Sequence, residues 1–201
     1  MSAFRRATAW FIDFALVMAL ASGLAVLTFQ RISTLVTDVP ELATRGGFDL
    51  LVSRGDVVDA SEDLGMLLWN KSVLYVEQAF GLLIVATFLY QWVCLALAGR
   101  TVGKGLTGLK VTPRMPGRAA LRAAVTTVAD VALYAVACVL LVEGEIALSV
   151  LVWAAAVVLF LFNALPVLGR ARRSLADRMA GTSVTGVSLS RPDAMRRVRT
   201  S

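Results

Sequence analysis

The sequence predicts an all-α integral membrane protein, a bundle of four transmembrane helices with both termini in the cytoplasm. Three observations predict it. The chain is 58% hydrophobic with a mean hydropathy of +0.74, where soluble domains carry roughly 45–50% apolar residues. The apolar residues arrive as long blocks instead of periodic stripes, so they do not describe a soluble core. The basic residues gather in alternate connections, as they do in chains that span a bilayer.

A hydrocarbon core of about 30 Å takes about 20 helical residues to cross. Four stretches satisfy that length, at about residues 7–29, 73–98, 119–142 and 147–168. They make up a transmembrane domain over residues 1–187, followed by a basic tail, 188–201, that reads as disordered and cytoplasmic. The leader to the first span holds Arg5 and Arg6, and the Ala19-Leu20-Ala21 run inside it imitates a signal-peptidase site. Asp13 within the apolar run argues for an uncleaved helix.

The outer loop, residues 30–72, has four basic residues and seven acids, with Pro40, Gly46, Gly47 and Gly55 as breakers. A short helix leading to Trp69 would place that indole at the membrane interface. The second span is followed by a loop over 99–118 with Arg100, Lys104, Lys110, Arg114 and Arg118 and no acid. The third and fourth spans are joined by Glu143-Gly144-Glu145, and Arg170, Arg172, Arg173 and Arg178 follow the fourth. Retention of basic residues in the cytoplasm therefore gives a multi-pass protein of the cell membrane with both termini inside.

Several function classes are excluded on composition. The net charge of +6 lies between apolar blocks without the aromatic pattern of a nucleic-acid surface, so no nucleic-acid partner is expected. Histidine is absent, Cys94 and Cys138 lie in apolar blocks, and no metal cluster or nucleophile motif stands out, so neither enzymatic activity nor a cofactor is expected. Gly103-Lys-Gly-Leu-Thr-Gly108 satisfies G-x-G-x-x-G in letters. It follows a span and not a strand, so it reads as a tight loop.

The informative residues are the polar ones inside the spans, where a charge costs at least ~2.5–3.5 kcal/mol near the helix centre. Asp13 lies about two turns into the first span and Asp130 near the middle of the third. Arg122 enters the third span, Asn163 lies at comparable depth in the fourth, and Glu77 is near the outer end of the second. They read either as a path for a proton, cation or small solute, with Asp13 and Asp130 changing charge, or as buried pairs that hold helices in register. Arg6 and Asp13 are too far apart along the helix to pair, so each needs a partner elsewhere. The spacings Ala15/Ala19/Gly23 and Ala120/Ala124 predict close helix packing, and Pro166 predicts a kink or an end in the fourth helix.

Three ordered segments resemble the RDD family. Arg6-Ala-Thr-Ala-Trp-Phe-Ile-Asp13 is similar to its opening, with an arginine seven residues before an aspartate. Gly99-Arg-Thr101-Val-Gly103-Lys104-Gly-Leu-Thr-Gly108 is similar to its G-x-T-x-G-K segment, with Leu121-Arg122 opening the next helix, and Asp177 before Gly181-Thr182 is similar to its close. The Arg5-Arg6 doublet and the long acidic outer loop depart from the pattern. The resemblance implies that Arg6, Asp13 and Asp177 are its defining residues, and that Asp177 could meet Arg6. It points to transport without naming a reaction.

Two functions are expected from these readings. One is a small-solute or ion transporter, with proton coupling as an option. The other is a non-enzymatic accessory or scaffold subunit. Expected partners are the lipid bilayer, anionic headgroups at the cytoplasmic face, and either further copies of the chain or a larger membrane complex.

Overall fold

A computed structural model describes residues 3–37, 57–112, 115–168 and 175–186. Within them lie four helices long and apolar enough to cross a membrane: Phe4–Thr37, Gly65–Ala98, Pro116–Val142 and Ile146–Asn163. The all-helical expectation holds for the bundle. Residues 38–56 of the expected outer loop and the tail 188–201 lie outside the described residues, as does the point at which the predicted domain ends.

The elements differ from the predicted bounds in ways that have physical causes. Helix α1 runs over Ala3–Thr37, eight residues past the predicted end at Phe29, because Gln30 to Thr37 holds no Gly or Pro to stop it. Helix α2 covers Val57–Val93 as one piece. The predicted outer loop thus gives up everything after Asp56, and the short helix towards Trp69 is the start of the span itself. A single π-helical turn, Cys94–Ala98, ends this span at Gly99, whose φ is 67°.

The predicted loop 99–118 holds regular elements where it is described. It contains a short helix, α3 (Val102–Leu106), then strand β1 (Leu109–Thr112), and Pro116 already opens the third span. Proline suits the first helical turn because its missing N–H would have no partner there. The third span consists of α4 (Pro116–Thr127), a π turn (Val128–Ala132) and α5 (Leu133–Val142). Helix α6, Ile146–Leu168, carries on past Pro166. After it come α7 (Leu175–Met179) and β2 (Ser183–Gly186).

The strands were not anticipated. β1 and β2 pair antiparallel, with Leu109 opposite Gly186 and Thr112 opposite Ser183. Leu95, Val111 and Ala119 form a buried apolar cluster, with Trp92, Ala96 and Val184 packed on it. The ribbon is thereby fixed to the ends of the second and third spans.

Between the spans the core is built from small side chains, because helices in lipid associate by close backbone approach and not by expelling water. Ala123, Ala129 and Ala156 are fully buried, and Ala119, Ala135 and Ala137 nearly so. Ser149 on α6 donates to the Ala137 carbonyl on α5 at 2.7 Å. The buried face of α4 is Ala119/Ala123/Thr127, one residue out of step with the predicted Ala120/Ala124, which are only partly buried. Ala15, Ala19 and Gly23 overturn the packing expectation within the chain. All three are exposed, and a methyl group added at Gly23 would meet nothing within 4 Å.

Large apolar side chains such as Phe29, Leu97, Leu151 and Phe162 point outward, as a lipid-facing surface requires. Trp10 stacks on Phe14 at 5.2 Å and meets Phe160 of α6 at 5.9 Å, closing the first helix onto the fourth. The start of α1, the 99–115 connection and the 175–186 segment share one end of the bundle, which is the basic end.

Candidate functional site

Carboxylates, cations, an amide and a phenol, drawn from all four spans and the segments beside them, come together towards the basic end of the bundle. Asp13 is held by three donors. Tyr90 of α2 gives its hydroxyl to Oδ1 at 2.9 Å, the Gly103 amide reaches the same oxygen at 2.8 Å, and the Thr101 hydroxyl reaches Oδ2 at 2.5 Å. Thr101 stands just before α3 in extended backbone. Asp13 therefore caps α3 from another helix, an anionic acceptor for an N–H that has no partner inside its own helix.

The spacing of the glycine motif follows from that contact. A Cβ at Gly103 would lie 2.1 Å from the Ala9 carbonyl oxygen and 2.9 Å from Asp13 Cγ. Only glycine lets α3 press onto α1 closely enough for its amide to reach the carboxylate. Gly99 and Gly108 flank the segment, each with φ of 67°. The glycine pattern thus serves a close approach of α3 to α1, with one backbone amide, that of Gly103, reaching Asp13.

Asp177 is held equally firmly. It forms a salt bridge with Arg122, both side chains being less than a tenth exposed. Arg122 Nη1 also donates to the Thr182 hydroxyl at 2.9 Å, and that hydroxyl reaches Asp177 at 3.3 Å. Arg118 adds a bond to the Gly181 carbonyl at 3.4 Å. Arg122 is thus a cation in this contact. Arg6 Nη2 donates to the Val184 carbonyl at 3.4 Å, two residues beyond Thr182, so the first helix reaches the closing segment.

Asp130 is held more loosely. It sits on the π turn of the third span, at about the middle of a 27-residue helix. π turns inside α-helices recur at functional positions. Asn163 Nδ2 of α6 lies 3.3 Å from Asp130 Oδ1, and the Asn163 carbonyl oxygen accepts from the Ala176 amide at 3.4 Å. The asparagine therefore ties Asp130 to α7.

Lys104 of α3 completes the arrangement. Burial pushes its ammonium down to about 8, with the nearby Arg122 acting in the same direction. Asp13, Asp177 and Asp130 are all near enough to oppose that fall. Around it are one cation, Arg122, and the three carboxylates. Glu77 stands apart from this group, and its carboxyl meets Glu143 at the turn between the third and fourth spans.

Sequence reasoning named most of these residues but missed Tyr90 and the pairing of Arg122 with Asp177. An arginine inside a span needs an acid, and Asp177 is the only acid between Gly169 and Arg191. That signal was available.

A family model described as the RDD family matches residues 1–181. No curated protein and no solved structure matches the chain.

Proposed function

We propose that this chain, which belongs to the RDD family, carries a small solute or an ion across the membrane it spans, with Asp130 as the carboxylate that changes charge. The supporting observation is the unequal treatment of three acids. Asp13 accepts from three donors and Asp177 from a buried guanidinium and a hydroxyl. Both are committed to holding the fold. Asp130, in mid-span, has the Asn163 amide at 3.3 Å.

A carboxylate at that depth is costly to keep charged, so a mobile cation or proton stabilises it. Lys104 supplies the opposing charge from the basic end. A proton or cation that reaches Asp130 competes with the Lys104 ammonium for the same carboxylate, which couples occupancy in mid-membrane to the α3 segment. In this reading the basic end faces the cytoplasm, in keeping with the Lys/Arg distribution.

The test is gradient-driven uptake into proteoliposomes of purified protein across a panel of ions, protons and small solutes. Flux in wild type, lost in Asp130→Asn at equal folded content, supports the proposal. Equal flux in Asp130→Asn removes the role given to Asp130.

A second reading, an accessory subunit, is favoured by the exposed Ala15/Ala19/Gly23 face, a surface suited to close approach by another helix. A foreign membrane protein that copurifies in mild detergent, together with absence of flux, would favour it.

A further inference from the structure

The arginine doublet at the start of the first span is only half explained by the polar layer. Arg6 donates to the Val184 carbonyl, whereas Arg5 is exposed. Its Nη2 lies 3.5 Å from the point at which a Cβ on Gly108 would stand. Arg100 is also exposed, and its Cδ and Nε lie 3.7 and 3.8 Å from the corresponding point on Gly105. Gly105 and Gly108 are the two ends of one turn, closed by the Gly108 amide donating to the Gly105 carbonyl at 3.2 Å. One arginine from α1 and one from the connection after the second span therefore flank the same turn.

Neither guanidinium has a hydrogen-bond or ion-pair partner among the described residues. Arg6, Arg118 and Arg122, at the same end, are each tied to a carbonyl or a carboxylate. Like charges brought to one turn repel, and an anion bound there removes the repulsion. The side chains beside them are apolar and face outward: Phe4, next to Arg5, is 78% exposed, Leu97 74%, and Leu106, within the turn, 73%. Phe4 begins the first candidate span and Ala98 ends the second. Both arginines thus leave the bundle at the depth where hydrocarbon gives way to headgroups.

We propose that Arg5 and Arg100 hold the phosphate of an anionic phospholipid whose acyl chains run along Phe4 and Leu97. A guanidinium meets a phosphate with two parallel N–H donors, so a phosphate shared by the two arginines would join α1 to the α3 segment. A free phosphate uses the same cations but leaves the apolar side chains uncovered, which favours an amphiphile. A zwitterionic headgroup brings its own ammonium to compete with the arginines, which favours phosphatidylglycerol over phosphatidylcholine. The site uses none of Asp13, Asp130 and Asp177, so it stands apart from the transport reading.

The test uses the full chain, stripped of lipid in mild detergent, with dioleoyl phosphatidylglycerol, dioleoyl phosphatidylcholine or inorganic phosphate added back. Native mass spectrometry counts the retained lipid, and the rate of trypsin cleavage after Arg100 reads the site itself. Phosphatidylglycerol should be retained and should slow cleavage after Arg100 while leaving cleavage after Arg178 unchanged. Each arginine near an anionic headgroup contributes about fivefold in affinity, so Arg5→Gln should weaken retention by about that factor and Arg5→Gln with Arg100→Gln by roughly 25-fold, at an unchanged thermal midpoint without lipid. Arg118→Gln with Arg178→Gln removes as much charge and should change retention little. The proposal is overturned by equal retention of phosphatidylcholine, by an equal loss in the Arg118 and Arg178 variant, or by equal protection after Arg178. Inorganic phosphate that protects Arg100 as well as the lipid does would also overturn it, and would assign the two arginines to a soluble anion.

Discussion

The Asp13 contact is local enough for its energetic weight to be worked out and checked. Asp13→Asn keeps the shape and removes the charge. Three donors, from Tyr90, Thr101 and Gly103, then face a neutral amide. Hydrogen bonds to an ionised group contribute about 1.5–3 kcal/mol each, and neutral ones about 0.5–1.5. The loss is about 1 kcal/mol per bond, or about 3 kcal/mol for docking of the α3 segment on α1. At 1.4 kcal/mol per decade, the undocked population rises on the order of 100-fold. Trypsin reads this directly, since Arg100 and Lys104 lie in the segment and local opening governs cleavage there. Cleavage after Lys104 in mild detergent should speed up by about that factor, while cleavage after Arg178 changes little. A rate after Lys104 within twofold of wild type would refute the capping account. An equal rise at Arg178 would show global unfolding and would refute the local one.

Other expectations concern the same end of the bundle. Gly103→Ala places a methyl group 2.1 Å from the Ala9 carbonyl oxygen, and overpacking of this kind costs about 1–3 kcal/mol; the thermal midpoint should fall and Lys104 should become cleavable, whereas an unchanged midpoint would mean that α3 does not press on α1. Asp177→Leu leaves the buried Arg122 guanidinium without its carboxylate, at a cost of about 3–5 kcal/mol. Adding Arg122→Leu should recover much of that loss in a thermodynamic cycle, and additive losses would argue against a direct pair. For Lys104, whose folded value lies near 8 against an ordinary 10.5, the unfolded chain holds the proton more tightly between those values. Stability should therefore rise as pH increases from about 8 to 10.5, with the charging penalty fully present below 8. Lys104→Met should flatten that rise in thermal unfolding measured across the window, and a variant with the wild-type slope would remove Lys104 as its source.

The four spans were legible because length and hydropathy decide whether a helix can lie in lipid, and neither needs tertiary information. Their ends were less so. The polar start of α2 reads as loop because a helix extending out of the bilayer carries charges like any solvated segment. The β1–β2 ribbon was invisible for a different reason: two four-residue strands become strands only on pairing, and Leu109 and Gly186 are far apart in the chain.

In the candidate site, the sequence exposes which residues are anomalous but not what they meet. Asp13 is conspicuous as an acid in an apolar run, yet its partners lie 77, 88 and 90 residues away. Its role as a cap depends on α3, a helix of five residues too short to announce itself. The Ala15/Ala19/Gly23 stripe shows the converse. A packing motif is legible, but whether its partner belongs to the same chain is not.

The central claim is that Asp13 and Asp177 hold the fold while Asp130 exchanges charge, and charge movement on a supported membrane after a rapid pH or cation jump tests it most directly. Wild type should give a transient current, and Asp130→Asn, with an unchanged thermal midpoint, should give none. A current of wild-type size in Asp130→Asn would contradict the claim and return Asp130 to a packing role beside Asn163.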